Sequence, residues 1–420
     1  MIRLALAALT ALNFTHLDWL KRPAGKQVTW QIYASAVKKD DRAGPYRYVG
    51  DEDEGIGCVD DVARAAILYA RHGARTHDPR ALAQARAALE AVLAQDRGDG
   101  AYFNFLWGDG SPNKTGPTSR PGLNWWTARA LWALGEGALA FRASDPAYAD
   151  RLRARAMRTV ALLETDLARR DNTWKHGGPG WFVGDGADAT AVVVLGLAAL
   201  DKDRTDARVA WLMARYAEAI ALWAPGTGPL ADAHLPSLVP NMWHSYGAHM
   251  LHALAEAGQR LHASRLIDAA RREADHFTPR VLLAGGPVAS YTPSLHAYPQ
   301  IAYGVEPTVL GLLALADATG DARYAKLGGL FASWLTGNNS AHRPMYDAAT
   351  GRAWDGIDPK GASTDSGAES TIEAMLTLEA LASHPELEPY LNAKKLTGPH
   401  FQTSLGTVTV TIPLAINAKR

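Results

Sequence analysis

Six times along the 420 residues, an apolar helix-period stretch opens with a small cluster of Asp, Glu, Asn, His or Trp, and it alternates with a helical stretch that has no such cluster. The marked starts are Asp60 with Asp61, Asn124 with Trp125 and Trp126, Asp188, Asn241 with Trp243 and His244, Glu306, and Glu369. Anchors at 60, 124, 188, 244, 306 and 369 are 64, 64, 56, 62 and 63 residues apart, which is room for two helices and two connections per repeat. One helical hairpin cannot bury its apolar face alone, whereas six can close into a ring in which each shelters its neighbours. The pattern predicts an all-α (α/α)6 toroid. One helix of every hairpin lines the inside, and all six marked starts gather at one mouth.

The inner helices are expected over Val59–Gly73, Leu123–Phe141, Ala187–Leu200, Asn241–Gly258, Val305–Gly320 and Ala368–Ser383, which are rich in Ala and Leu with few charges. Their outer partners, Pro79–Gln95, Pro146–Arg169, Asp206–Trp223, Ser264–Phe277 and Tyr324–Leu335, carry Arg, Asp and Glu on one face. Asp78 before Pro79 and Asp145 before Pro146 are helix-start signals. Connections from outer to inner helix, such as Arg97–Pro121, Asn172–Asp185, Thr278–Tyr303 and Gly337–Asp365, are long, and long loops in compact domains carry function. Short strands are expected in these loops, for instance at Ala101–Trp107, and at the C-terminus, where Thr407–Ile412 alternates Thr with apolar residues. The early run Gln27–Tyr33 is a candidate partner for that last strand.

Lys plus Arg equals Asp plus Glu at 43 each, so the overall balance attracts neither nucleic acid nor an anionic membrane. No stretch reaches the ~18 apolar residues a membrane span needs. The single cysteine, Cys58, excludes an intrachain disulfide and the cysteine-rich zinc patterns. Asp51, Asp53 and Gly55 resemble a calcium loop, but the Gly comes one position early and the closing Glu is missing. With no phosphate-binding Gly-rich loop and no G-x-S-x-G elbow, neither a metal nor a cofactor is expected. The opening MIRLALAALTAL reads as either a signal-like run or a first helix within residues 1–20, ahead of a single barrel domain over 21–420. Export is preferred over a cytoplasmic location, and the oligomeric state is left open.

Asp60 and Asp61 open the first inner helix, where one of them is expected to act only as a cap. Glu369 opens the last, where Ser366 three residues earlier has capping-box spacing, repeated by Ser370 and Glu373. Ring closure tips the balance toward chemistry, because it makes the first and sixth hairpins neighbours and sets these carboxylates across one mouth. Two carboxylates flanking a sugar-sized cleft suit glycosidic bond hydrolysis, one protonating the departing oxygen and the other activating water or attacking. Asn124, Trp125, Trp126, Trp181, Asp188, Trp243, His244, Tyr303 and Glu306 are the expected substrate-binding residues, the aromatic ones by stacking on sugar rings. His249 and His252 read as core histidines.

The six-hairpin alternation resembles the six-hairpin glycosidase superfamily, the (α/α)6 barrels that include family 9 cellulases. There an Asp-rich turn opening an early inner helix supplies the base, and a Glu opening the last inner helix is the acid. The resemblance implies that role for Asp60 or Asp61 and for Glu369, and the run Gly337, Asn338, Asn339 with Arg343, Pro344 and Met345 is similar to the loop before that helix. Two rivals are kept. One is sugar epimerisation or uronate elimination on the same barrel, with His244, His296 or Tyr246 moving a proton; the other is a carbohydrate-binding protein without catalysis.

Overall fold

The computed structural model describes residues 12–412, the side chain of Asp185 excepted. Helices run in the order α1 (Thr15–Leu20), α2 (Val59–Thr76), α3 (Pro79–Ala94), α4 (Trp125–Phe141), α5 (Pro146–Arg170), α6 (Ala187–Asp203), α7 (Ala207–Leu222), α8 (Met250–Arg260), α9 (Ser264–Arg272), α10 (Thr278–Leu283), α11 (Ala302–Thr319), α12 (Ala322–Ala332), α13 (Ala368–Ala382) and α14 (Glu388–Leu391). Each inner helix, α2, α4, α6, α8, α11 and α13, packs on the next, and α13 packs back on α2, so the ring is closed. Outside it, α3, α5, α7, α9 and α12 each pack on the inner helix that precedes them. Among the described residues the last inner helix has no long outer partner; the short α1 and the turn Pro385–Leu387 pack on it.

Local chemistry accounts for both layers. The side chains of Asp78, Asp145, Asp206 and Asp321 accept backbone N–H bonds at the starts of α3, α5, α7 and α12, each cap contributing about 1 kcal/mol. Inner helices are apolar all round because neighbours surround them: in α6 every residue from Ala187 to Asp201 is buried. Gly135 and Gly196 let α4 and α6 approach closely, since a Cβ on Gly135 would meet Ala199 Cβ at 2.9 Å. No helix among the described residues is long and apolar enough to cross a membrane.

Two expectations are corrected. The fourth inner helix begins at Met250, not Asn241, because Trp243–His244 is a strand paired antiparallel with Ser290–Tyr291. Asn241 and Gly247, at φ 58° and 61°, turn the chain on either side of that strand, and both conformations interrupt a helix. At the tail, Gly406–Thr409 pairs with His400–Thr403, while Gln27–Trp30 pairs with Lys21–Ala24. Two local hairpins replace the long-range pairing, each closing a far shorter loop. Within the loop around Ala101–Trp107, Phe105–Leu106 pairs with Gly57–Cys58 and steadies the entry to α2. The signal-like run at residues 1–11 lies outside the described residues.

Candidate active site

At the start of α2 the N-cap is Cys58, whose Sγ accepts the Asp61 N–H at 3.4 Å, so neither Asp60 nor Asp61 is used as the cap. Asp61 is buried at 2% exposure, whereas the Asp60 side chain is 26% exposed. One turn on, the buried Arg64 donates from Nη2 to Asp61 Oδ1 at 2.7 Å and to Glu369 Oε2 at 3.2 Å, and from Nη1 to Glu373 Oε1.

The expected capping box at α13 does not form. The N-cap is Gly367, and Ser366 turns away, donating from Oγ to the Ala353 carbonyl at 2.7 Å. Ser370 Oγ and the Gly367 N–H both donate to Asp355 Oδ1, so this acid from the preceding loop organises the helix start. Glu369 is thereby released from capping, and its side chain is 44% exposed, while Glu373 one turn below is wholly buried. Between the two helix starts lies a cavity of about 310 Å³, lined by Asp60, Asp61, Arg64, Glu369, Asp355 and Asn104 among others. That is within the range of small-ligand sites.

Several carboxylates here compete for one guanidinium. Burial pushes Asp61 up to about 7, against the pull of Arg64 and with further push from Glu369 and Asp60. Burial likewise raises Asp355 to about 6, and it raises Glu373 above its ordinary value against the pull of Arg64.

A second set of ionisable groups lies toward the barrel interior. The buried Arg129 on α4 donates to Tyr303 Oη at 2.8 Å, while its Nη1 is 3.4 Å from His249 Nε2 and its Nε is 3.8 Å from Asp60 Oδ1. His249, at the start of α8, stands 3.4 Å from Glu306 Oε2. Burial and then Arg129 push His249 well below its ordinary value, and burial and then Glu373 push Glu306 well above its own. Both shifts disfavour the charged forms and so weaken this contact as an ion pair.

The remaining expected residues separate by environment. Asn124 caps α4, accepting the Thr127 N–H at 3.2 Å; Trp125 and Trp126 are half-buried beside it, with the Arg129 guanidinium 6.0 Å from the Trp125 ring. Asp188 opens α6 with Oδ2 3.7 Å from His244 Nε2, and burial raises it to about 7. Tyr303 is half-buried, and Glu306 is fully buried one turn inside α11. Trp181 and Trp243 do not present a face for stacking: at 2% and 4% exposure they pack against Trp174 and Phe277 respectively. His252 is buried beside Trp132, as a core histidine should be, whereas His249 joins the polar set. His296 sits exposed on a strand, and Tyr246 Oη donates to the Pro299 carbonyl at 2.9 Å. Among the described residues no group of three or more His, Cys, Asp or Glu is placed to hold a metal ion.

Arg64, Arg129, Glu373, Asp355 and the polar role of His249 were not read from the sequence. Four of the five had a signal there: Arg64, Arg129 and Glu373 are charges about one turn inside Ala- and Leu-rich inner stretches, and His249 stands at the head of another. A charge in a helix buried on all sides needs a partner inside the ring.

No family model and no curated protein matches the chain. Solved structures do. A sugar epimerase from a ruminal bacterium superposes with a TM-score of 0.64 at 12% identity, covering 91% of this chain and 98% of its own. The cellobiose 2-epimerase of Spirochaeta thermophila gives 0.64 at 15% identity, with 91% and 97% covered. A family 9 endoglucanase gives 0.51 at 14% identity, with 90% and 84% covered. The chain has the six-hairpin (α/α)6 barrel fold that these enzymes share.

Proposed function

We propose that this protein is a carbohydrate-active enzyme that hydrolyses a glycosidic bond in the cleft between α2 and α13. The observation that carries the reading is the Arg64 guanidinium, which holds acids from the first and last inner helices at one cavity wall. Asp60 and Glu369 are the pair whose side chains are open enough to meet a substrate. Following the family resemblance, Glu369 protonates the leaving oxygen and Asp60 activates water. Asp61, buried and bound to Arg64, is a positioning residue. The test is incubation with a panel of neutral, amino and acidic oligosaccharides, followed by product analysis. New saturated reducing ends are the expected result; unsaturated products, or products of unchanged chain length, overturn hydrolysis.

A second reading rests on His249. A neutral imidazole beside Arg129, Tyr303 and Glu306 suits proton transfer next to a sugar carbonyl, the chemistry of an epimerase or isomerase. The epimerases of this fold give it support. It predicts a stereochemically altered sugar of unchanged length.

A further inference from the structure

Beside Asp60 and Glu369, the cavity between α2 and α13 is lined by two aromatic residues, Tyr33 and Phe105. Phe105 is 7% exposed, whereas Tyr33 is 40% exposed. Tyr33 heads the strand Tyr33–Ala36, and the chain here is wedged between the two helix starts. On the α2 side the Ile32 N–H donates to the Ile56 carbonyl at 3.3 Å. On the α13 side the Ile32 and Ala34 carbonyls accept the Ala368 and Ser366 N–H groups at 3.1 and 2.9 Å. Strand alternation then directs the side chain: Ile32 and Ala34 are buried, so Tyr33 between them projects from the other face.

The far end of the ring is fixed as well. Tyr33 Oη donates to Glu54 Oε2 at 2.8 Å. Glu54 belongs to the acidic turn at 51–55, where Asp51 Oδ1 accepts the Asp53 and Glu54 N–H groups at 2.8 and 2.9 Å and Asn113 Nδ2 donates to the Asp53 carbonyl at 2.7 Å. The run that resembles a calcium loop thus uses its first acid to close the turn and its Glu to hold a tyrosine. Burial first, then Glu54, with Cys58 and Asp51 adding less, raises the phenol above its ordinary value, in keeping with a hydroxyl set at the entry to α2. Among the described residues neither a ring nor a guanidinium stacks on Tyr33, whereas Tyr303 and Tyr46 carry Arg64 and Arg352 over theirs. A flat apolar face already held in place loses little freedom when the C–H face of a pyranose settles on it.

We propose that Tyr33 is the platform on which a pyranose ring stacks beside Asp60 and Glu369, and that the acidic turn at 51–55 is the brace that orients it. This deepens the hydrolytic reading and rests on its placing of the sugar in this cleft, though not on which bond is broken.

Titration calorimetry of the full chain at pH 7 with β-1,4-linked tetramers of glucose, mannose and galactose tests it, read on whichever binds most tightly. Tyr33→Leu keeps apolar bulk without a flat face, and is expected to weaken binding about tenfold or more. Where the tetramer is also cleaved, KM rises by the same factor while kcat stays within about threefold. Tyr33→Phe and Glu54→Ala each weaken binding only about two- to fivefold, and the double variant no more than either alone, because both remove the same hydrogen bond. Parent-like binding by Tyr33→Leu, a loss in Tyr33→Phe as large as that in Tyr33→Leu, or binding of none of the tetramers overturns the platform, and additive losses in the double variant overturn the brace. A loss confined to Tyr33→Leu without cleavage of any tetramer counts against hydrolysis and keeps the platform; cleavage with KM unchanged in Tyr33→Leu does the reverse.

Discussion

Asp61 and Glu369 accept hydrogen bonds from the same nitrogen, Arg64 Nη2, at 2.7 Å and 3.2 Å, although one stands on the first inner helix and the other on the last. Ring closure is therefore expressed in a single side chain. Because Arg64 and Asp61 are each only 2% exposed, that side chain answers to low-dielectric energetics rather than to those of a surface pair.

Replacing Arg64 with Met leaves Asp61 and Glu373 buried without their cation. Loss of a partner from a buried ion pair costs about 3–5 kcal/mol, so a thermal or urea melt should show a large destabilisation. The charge-keeping Arg64→Lys cannot span three carboxylates and should restore only part of it.

Glu369→Gln acts differently, since its side chain is 44% exposed and Arg64 keeps two other acids. Its stability should stay within about 1 kcal/mol of the parent, while turnover on the true substrate falls roughly 10²- to 10⁴-fold, the usual contribution of an acid or base. Asp60→Asn should behave alike. Near-normal turnover in either variant removes that residue from the mechanism.

Asp188 provides a pH signature of stability. Its folded-state value of about 7 lies above the ordinary 3.8, so between those limits the native protein holds a proton that the unfolded chain has released. The stability this contributes is complete below about pH 4 and is lost as pH rises through 7. Asp188→Asn keeps an oxygen for the Ala189 N–H and removes that loss. Its melting temperature relative to the parent should therefore climb between pH 5 and pH 8, by on the order of 1–3 kcal/mol of stability. A flat difference would mean that Asp188 is ionised throughout.

His249→Gln separates the two chemistries. Under hydrolysis at the α2–α13 cleft, activity should stay within about tenfold of the parent, because the imidazole belongs to the inner polar set. Under proton transfer to a sugar carbon it should fall by the 10²- to 10⁴-fold expected of an acid or base. Circular dichroism of the variant shows whether the fold survives the change.

The ring and the meeting of its first and last acids were legible because both follow from local periodicity and one topological step. Asp78 and Asp145 announced their helices through capping chemistry that acts within three residues. Trp243 and His244 were not legible as a strand, because their partners Ser290 and Tyr291 lie far along the chain and no local rule selects them. Glu369 read equally well as a capping residue, and only the coordinates show Ser366 turned toward Ala353 instead. The inner set of Arg129, His249 and Glu306 stayed hidden because one-dimensional spacing does not say which side chains on three different helices point at one another.

The meeting of α13 with α2 also bears on synthesis. A nascent chain presents Arg64 and Asp61 early, but Glu369 follows Arg64 only after 305 residues, and Glu373 later still. Any shortened product ending before that point carries a guanidinium lacking two of its three counter-ions, and half a cleft. A chain cut short there is left with a charge imbalance at its first inner helix as well as missing residues.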